Sequence, residues 1–495
     1  MTRDWFSSRK KLFAAFVFVA SFAGASTSAE PAPAPAAPQT RNAKLEIPKT
    51  PAGTQFSAWL AAFNAGDRAR LEVVVGRFAK PDARRLEAML DFHRRTGGFD
   101  LKKIEESTET KLTGLVQERD SDQIARFEMQ LDPAEPHKIV AFGLRTISRP
   151  AEFALPRMSQ ADLLTALRAE LEKATAADHF SGAVLLAKNG KAVFTGAYGF
   201  ADRDKKVPNT LDTKFRIGSM NKMFTAVATL QLVQAGKLSL DETVGKFIPD
   251  YPNKQIATEV TIRQLLTHTG GTGDFFGPQF DAHRLELKTL DDYVKLYGAR
   301  APEFQPGSRW EYSNYGFLLL GVIIERVSGQ NYYDYVQQHV YMLAGMTSTG
   351  SDPEDQQVPK RSVGYTQMEG PQLRPNTDTL PYRGTSAGGG YSTVEDFLRF
   401  ANALHDHKLL NAQYTEMLTT GKVDTPGGTK YAFGFMEADA GQPTHHFGHG
   451  GGAPGMNGDL EIYPEAGYVI VVLSNLDPQA AGRVSDFIAN RMPLN

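Results

Sequence analysis

The stretch "FRIGSMNKMFTA", residues 215–226, places a serine and a lysine three positions apart, at Ser219 and Lys222. The residues that follow have the apolar spacing of a helix and few helix breakers, and Gly236 stands just past the expected end. We therefore predict that Ser219 lies at a helix N-terminus, where unpaired backbone N–H groups and the helix dipole favour negative charge. A serine in this position could attack a carbonyl carbon while the helix end stabilises the oxyanion.

Lys222 is expected on the same helix face as Ser219, one turn further along. The ordinary lysine pKa of about 10.4 is too high for a base at neutral pH, unless burial or a nearby cation lowers it. Apolar neighbours that could bury the amine are Phe215, Met220, Met223 and Phe224. The alternative is a plain N-cap at Ser219 with Lys222 exposed. The spacing alone does not decide, because it recurs at Ser7/Lys10 and Ser8/Lys11.

A second candidate segment is "FQPGSRWEYSNYGF", in which Tyr312 and Asn314 precede a strongly apolar helical stretch. Tyr312 could carry protons between a nucleophile and a leaving group if a neighbouring ammonium lowered its pKa of about 10. The alternative is that Tyr312 packs in the core and Asn314 caps the helix.

The third segment is "FGHGGGAPGMNGDLEIY", with three glycines, 450–452, directly before a predicted strand. Glycines allow a ligand to approach the backbone closely, and their N–H groups could complete an oxyanion hole. His445, His446 and His449 lie nearby, but they have neither a helix to align them nor a carboxylate motif. The sequence therefore predicts no metal site and no cofactor.

In this order, the three segments resemble the active-site motifs of the serine β-lactamase and penicillin-binding-protein superfamily. The resemblance is to the class C-like branch, which includes family VIII carboxylesterases and D-aminopeptidases. It covers residues 158–490 and includes the further sequence segments "LLTHTGG" (265–271), "FQPGSRWEYSN" (304–314) and "GTSAGGGYSTVEDFLRF" (384–400).

The resemblance implies that Ser219 is the acylated nucleophile. It also implies that Lys222 either accepts the Ser219 proton or assists Ser219 through the electric field of its charge. Tyr312 corresponds to the tyrosine of the family's Tyr-x-Asn motif, and Asn314 to its substrate-orienting amide. Either Lys222 or Tyr312 could be the base, and the resemblance does not choose between them.

The third motif departs from the family pattern. His449-Gly450-Gly451 stands where the family has Lys-Thr-Gly or His-x-Gly, and the resemblance implies an oxyanion hole from the N–H groups of Ser219 and Gly452. A histidine is mostly neutral at pH 7, and Gly450 carries no hydroxyl group. This weaker anchor for an anion favours esters, or substrates held by other contacts, over β-lactams and peptide C-termini.

Strand patterns at both ends of the region 158–492 indicate its fold. One hairpin is predicted around Asn189-Gly190, and a second turns at residues 464–467. A helical region separates the two hairpins. We predict an α/β (α+β) fold of two subdomains, with one antiparallel sheet built from both ends of the catalytic region and an inserted helical subdomain.

Residues 45–150 are predicted to form a separate α+β domain. Strand alternation in "ARFEMQL" (125–131) follows three helix-like stretches, which are Ser57–Asn64, Arg68–Phe78 and Ala83–Thr96. The stretch "AWLAAFNAGDRARLE" (58–72) resembles the opening helices of nuclear-transport-factor-like folds.

The N-terminus predicts export. Basic residues precede an apolar run, Leu12–Ala25, of 14 residues, shorter than the roughly 20 that a membrane-spanning helix needs. We predict a signal peptide at 1–29, cleaved near Ala29, and a Pro/Ala-rich tether at 30–44. The predicted location is the bacterial periplasm or the exterior, with no membrane association after cleavage.

Composition narrows the function further. The sequence contains no cysteine, which excludes disulfides, thiol catalysis and thiolate metal sites. A formal net charge of −2 argues against nucleic acid as a partner.

The resulting hypothesis is an exported serine hydrolase that forms an acyl-enzyme on Ser219. Its substrates would be carboxylic esters or D-amino-acid amides and peptides, including peptidoglycan-derived ones. One alternative is a β-lactamase or DD-peptidase. Another is a peptidoglycan- or peptide-binding protein or sensor that does not turn over. In the third, the N-terminal domain is the functional centre and binds an apolar ligand or a partner chain.

Overall fold

The computed structural model describes residues 45–494, except residues 81, 83, 148, 369 and 371. The predicted signal peptide and tether therefore lie outside the described residues. The chain forms two compact units that divide between residues 148 and 149. Within the described ranges, no helix has both the length and the apolar character that a membrane crossing requires.

The first unit consists of three helices followed by a four-stranded antiparallel sheet in the order β1-β2-β3-β4. Its elements are α1 (Pro51–Ala65), α2 (Arg68–Val75), α3 (Arg84–Thr96), β1 (Phe99–Ser107), β2 (Lys111–Glu118), β3 (Ile124–Leu131) and β4 (Ile139–Ile147). The predicted α+β arrangement of helices before a meander is confirmed. The nuclear-transport-factor resemblance stays a prediction.

Local capping explains where α1 begins. The helix begins at Pro51, earlier than the predicted Ser57, because the Thr50 side chain accepts a hydrogen bond from the Gly53 N–H at 3.1 Å. Proline at the first helical position is favourable, since it has no N–H to leave unsatisfied. The core of the unit is rich in aromatic rings, among them Phe56 stacked on Phe127 at 3.9 Å between ring centroids.

The second unit is built around an eight-stranded sheet in the order β13-β14-β15-β16-β17-β18-β5-β6, with every neighbouring pair antiparallel. Its strands are β5 (Gly182–Lys188), β6 (Lys191–Tyr198), β13 (Val423–Asp424), β14 (Lys430–Tyr431), β15 (Met436–Ala438), β16 (His446–Ala453), β17 (Met456–Tyr463) and β18 (Tyr468–Ser474). The two ends of the region therefore share one sheet, as predicted.

The helices cover both faces of this sheet and form the inserted region. They are α4 (Gln160–Ala176), α5 (Asn221–Gln234), α6 (Val244–Phe247), α7 (Lys254–Glu259), α8 (Ile262–Leu266), α9 (Pro278–His283), α10 (Leu290–Tyr297), α11 (Asn314–Ser328), α12 (Tyr332–Val336), α13 (Met342–Ala344), α14 (Val394–His405), α15 (Ala412–Thr419) and α16 (Ala480–Ala489). Short pairs of strands lie between them, which are β7 (Phe200–Asp202) with β8 (Val207–Pro208), β9 (Phe215–Arg216) with β12 (Tyr391–Ser392), and β10 (Tyr365–Thr366) with β11 (Arg374–Pro375).

Side-chain alternation explains why the sheet is covered on both sides. Leu185 and Val471 belong to the large core shared with α5 and α11, whereas Leu186 and Ile470 belong to the core under α4 and α16. Successive strand residues point to opposite faces, so buried residues in succession require two covered faces. The hairpin between β5 and β6 turns at Asn189 and Gly190, both with positive φ, as a two-residue turn of this sequence requires.

Candidate active site

Ser219 lies in a short 3-10 turn, Gly218–Met220, that leads directly into α5. Gly218 has a φ of 53°, a left-handed conformation that favours glycine. The residue immediately before α5 is Met220, so the alternative of a plain N-cap at Ser219 is wrong. The Ser219 hydroxyl is instead within hydrogen-bond distance of Lys222.

Lys222 is fully buried, which contradicts the exposed alternative. Its Nζ donates to Asn314 Oδ1 at 2.7 Å and to the Ala387 carbonyl at 2.5 Å, and lies 3.3 Å from Ser219 Oγ. Burial lowers the pKa of Lys222 to about 7, and the negative charge of Asp274 opposes this effect. The amine can therefore gain or lose a proton near neutral pH.

The rings nearest the Lys222 amine come from α11 and the loop before it. Nζ lies 4.7 Å from the ring centroid of Tyr312 and 5.6 Å from that of Phe317. The neighbours expected from the sequence, such as Met223 and Phe224, are buried in the same core. Tertiary contacts, more than neighbours in sequence, thus surround the amine.

Tyr312 lies two residues before α11, and Ser313 caps that helix by accepting the Gly316 N–H. Burial raises the pKa of Tyr312 well above its ordinary value, although a hydrogen bond with Ser219 partly offsets the increase. The expectation that a neighbouring ammonium would lower this pKa is wrong, because the loss of water around the phenol is the larger effect. Tyr312 is therefore protonated at neutral pH.

Asn314 is the first residue of α11, so the alternative in which it is the helix cap is also wrong. Its Oδ1 accepts the hydrogen bond from Lys222, and its Nδ2 donates to Asp274 Oδ2 at 2.8 Å. The other oxygen of Asp274 accepts backbone N–H groups from Phe275 and Phe276. Sequence reasoning missed Asp274, which stands three residues after "LLTHTGG" in no motif of its own.

His449 is buried, and the protein uses both of its ring nitrogens. Nδ1 lies 2.5 Å from the Gly450 carbonyl, which can only accept, so Nδ1 carries the proton. Nε2 then accepts a hydrogen bond from the Tyr431 hydroxyl at 3.1 Å. Burial lowers the pKa of His449 to about 4, and the positive charge of Lys222 acts in the same direction. The histidine is neutral at pH 7, as expected from the sequence.

The predicted strand follows the three glycines as β17, but the glycines themselves lie inside strand β16, which the sequence did not predict. A Cβ at position 451 would stand 2.0 Å from the Ile217 carbonyl, and one at Gly218 would stand 2.9 Å from the Gly452 nitrogen. The close contact between β16 and the Ser219 turn therefore requires glycine. Gly450 is different, since a Cβ there would have no neighbour closer than 3.5 Å.

His268, in the quoted "LLTHTGG" stretch, is a second residue that sequence reasoning left without a role. It is buried with a φ of 58°, and its Nδ1 accepts the Ser313 N–H at 3.1 Å. Its ring centroid lies 4.3 Å from that of Tyr312 and 4.4 Å from that of Tyr431. Burial holds the pKa of His268 well below its ordinary value, and the charge of Lys222 adds to this. The resemblance of this stretch to the family's sequences was the only indication that His268 could have a role.

The other histidines of the third segment are not grouped around one point. His445 contacts the carboxylates of Glu437 and Glu465, whereas His446 contacts the Thr444 carbonyl. In the part of the chain that the structure describes, no three His, Cys, Asp or Glu residues are grouped as a metal site would require.

Comparisons with known proteins give matches over the second unit. The profile of the family described as Beta-lactamase matches residues 167–491. The protein PbpX of Bacillus subtilis (strain 168) is 33% identical over 315 residues, which is 62% of this chain and 74% of PbpX. Among solved structures, the penicillin binding protein from Bacillus halodurans is 33% identical with a TM-score of 0.59, covering 66% of this chain and 98% of that one.

A D-stereospecific amidohydrolase from Streptomyces sp. is 28% identical with a TM-score of 0.56, covering 66% of this chain and 97% of that chain. The family profile spans most of the second unit, including all three segments around Ser219. The chain belongs to the Beta-lactamase family.

Proposed function

We propose that this protein is a serine hydrolase that forms an acyl-enzyme on Ser219. The observation that carries the proposal is the buried Lys222 amine, whose pKa is about 7 and whose Nζ lies 3.3 Å from Ser219 Oγ. A nucleophilic serine needs a base within hydrogen-bond reach whose pKa lies near the working pH. Lys222 meets both requirements.

In the acylation step, neutral Lys222 takes the Ser219 proton as Oγ attacks the substrate carbonyl carbon. The backbone N–H groups of Ser219 and Gly452 stabilise the oxyanion that forms. Tyr312, which its raised pKa keeps protonated, gives its proton to the leaving group and receives one from the Lys222 ammonium. We thus assign the base to Lys222 and the proton relay to Tyr312.

In the deacylation step, water attacks the acyl carbonyl and Lys222 accepts a proton from this water. The proton returns to Ser219 Oγ as the acyl bond breaks, and the product leaves as a carboxylic acid. Asn314 holds Lys222 in place for both steps, because its oxygen accepts from the amine while its nitrogen is bound to Asp274.

For the substrate, we propose carboxylic esters or amides and peptides that contain D-amino acids, with peptidoglycan-derived peptides among them. The neutral His449 supports this choice, since it offers no charge to a substrate carboxylate at the third motif. The D-stereospecific amidohydrolase among the similar structures supports amides. The competing proposal is β-lactam or DD-peptide chemistry, which a panel of esters, D-amino-acid amides and β-lactams would separate.

The first experiment measures the intact mass of the full chain after treatment with a fluorophosphonate. We expect one adduct on the native protein, none on Ser219→Ala, and one on the control Ser239→Ala, which changes an exposed serine of the same unit. A folded native protein without an adduct, or a Ser219→Ala variant that still gains mass, would contradict the proposal.

The same method distinguishes a hydrolase from a sensor that stays acylated. With an ester substrate in excess, a hydrolase releases product continuously, whereas a sensor releases one equivalent and retains the acyl mass. We also propose export to the periplasm or exterior, tested by the mass of the mature N-terminus, which should begin after Ala29.

A further inference from the structure

A pocket of about 350 Å³ lies in the same unit as Ser219. Three cationic side chains line it, which are Arg263 of α8, Arg309 of the loop before Tyr312, and Lys422 just before β13. Further lining groups that can donate hydrogen bonds are Gln264, Thr269 and Ser308. None of the described residues that line the pocket is an Asp or a Glu. The lining therefore suits an anion that carries several oxygen atoms.

Two of the three cations of the pocket are paired with exposed carboxylates, whereas the Lys422 amine donates to the Thr420 carbonyl and lies 4.8 Å from the centroid of the Phe433 ring. Arg263 pairs with Asp241 and Arg309 with Glu311, but these pairs are largely exposed to solvent and neither acid lines the pocket. Exposed ion pairs of this kind contribute little and exchange readily for another anion. Lys422 has a lowered pKa, chiefly because of partial burial, with Glu437 opposing and Arg263 assisting. An anion between these side chains would offset the repulsion of like charges.

Aromatic rings in contact with one another connect the pocket to the site. Trp310 lines the pocket, and its ring centroid lies 6.5 Å from that of Tyr312 and 6.3 Å from that of Tyr431. Val423, also in the lining, pairs with Tyr431 across β13 and β14. Because Tyr431 bonds to His449, the pocket lies next to the third motif, which itself has no charge for an anion.

We propose that this pocket is a substrate subsite that binds a carboxylate or phosphate group distant from the scissile carbonyl. The proposal rests on the acyl-enzyme function above and narrows it to esters or amides with an anionic arm. The anion is held at Arg263, Arg309 and Lys422 instead of at the third motif.

The test uses p-nitrophenyl esters of equal acyl length that end in a methyl group, a carboxylate or a phosphate, with acyl chains from glutarate to suberate length. For at least one length, we expect the native protein to show a kcat/KM roughly tenfold higher for an acidic ester than for its methyl-terminated counterpart. The preference should fall as salt is added, because the cations lie at an open rim. The acidic group that gives the larger increase in kcat/KM, carboxylate or phosphate, is the group that the pocket binds.

Lys422→Met is the informative variant, and Lys430→Met is its matched control, an exposed lysine of β14 outside the lining. We expect Lys422→Met to lose about tenfold in kcat/KM on the preferred acidic ester and to keep its rate on the neutral one. Lys430→Met should keep both rates.

Equal rates on acidic and neutral esters at every length, or equal losses in the two variants, would overturn the subsite. Fluorophosphonate labelling of Ser219 separates the two proposals. If labelling and neutral-ester hydrolysis persist without a charge preference, only the subsite is wrong. If labelling fails in the folded native protein, both proposals are wrong.

Discussion

Nζ of Lys222 and Oδ1 of Asn314 are 2.7 Å apart, a hydrogen bond that joins α5, which follows the nucleophile, to α11, which follows Tyr312. The bond ties together two segments that are separated by about ninety residues in the sequence. Asn314 also donates to Asp274, whose negative charge raises the pKa of Lys222. The protonation of Lys222 therefore depends on a side chain that, in the hydrogen bonds of the described residues, is linked to it only through Asn314.

The first prediction concerns the pH dependence of acylation. Lys222 acts as a base only when it has lost its proton, so kcat/KM should rise with pH and reach half its plateau near the Lys222 pKa of about 7. A Lys222→Arg variant stays protonated and should lose most activity at every pH tested. A profile of the native protein that is flat between about pH 6 and pH 8 would contradict Lys222 as the base.

The second prediction concerns Asp274, whose negative charge raises the pKa of Lys222. Asp274→Asn removes this charge and keeps one of the two acceptor oxygens, which can serve either the Asn314 N–H or the backbone N–H groups of Phe275 and Phe276. The acid limb of the kcat/KM profile should therefore move to lower pH. Asp281→Asn, which changes a carboxylate of α9, is the control and should leave the limb in place. Movement of the limb to higher pH in Asp274→Asn would show that the electrostatic role is wrong.

The third prediction concerns His268, which bonds to Ser313 and packs against Tyr312 and Tyr431. His268→Gly tolerates the positive φ but leaves the buried Ser313 N–H without its acceptor, at a cost of about 1–3 kcal/mol. His268→Asn also tolerates this conformation and supplies an oxygen in place of Nδ1. The thermal unfolding temperature and kcat should both fall in the glycine variant and recover in part in the asparagine variant. Equal values for the two variants would contradict a role for the hydrogen bond.

The fourth prediction compares two adjacent glycines of β16. Gly451→Ala would place a methyl group 2.0 Å from the Ile217 carbonyl, so the Ser219 turn must move, at a cost of about 1–3 kcal/mol or more. Gly450→Ala has space, since its nearest neighbour would be 3.5 Å away. Fluorophosphonate labelling should be lost or greatly slowed in the first variant and kept in the second. Equal labelling of both would show that β16 does not hold the turn.

The fold was largely predictable because its patterns are local. The Asn189-Gly190 turn, the apolar strands at both ends and the helix after Ser219 each follow from neighbouring residues. Errors arose where backbone contacts override propensity. The run 450–452 has no side chains to suggest a strand, yet it pairs with β17 and contacts the Ser219 turn.

The sequence by itself determined which residue types could carry acyl transfer, their order along the chain, and that the third motif would be neutral at His449. Only the tertiary structure decided the protonation states, because a pKa depends on the water and charges around a group. Burial lowers the pKa of Lys222 to about 7. It raises the pKa of Tyr312, which is the opposite of the change expected from the sequence. The tertiary structure also revealed the roles of Asp274 and His268, whose contacts join segments distant in sequence and follow from no local pattern.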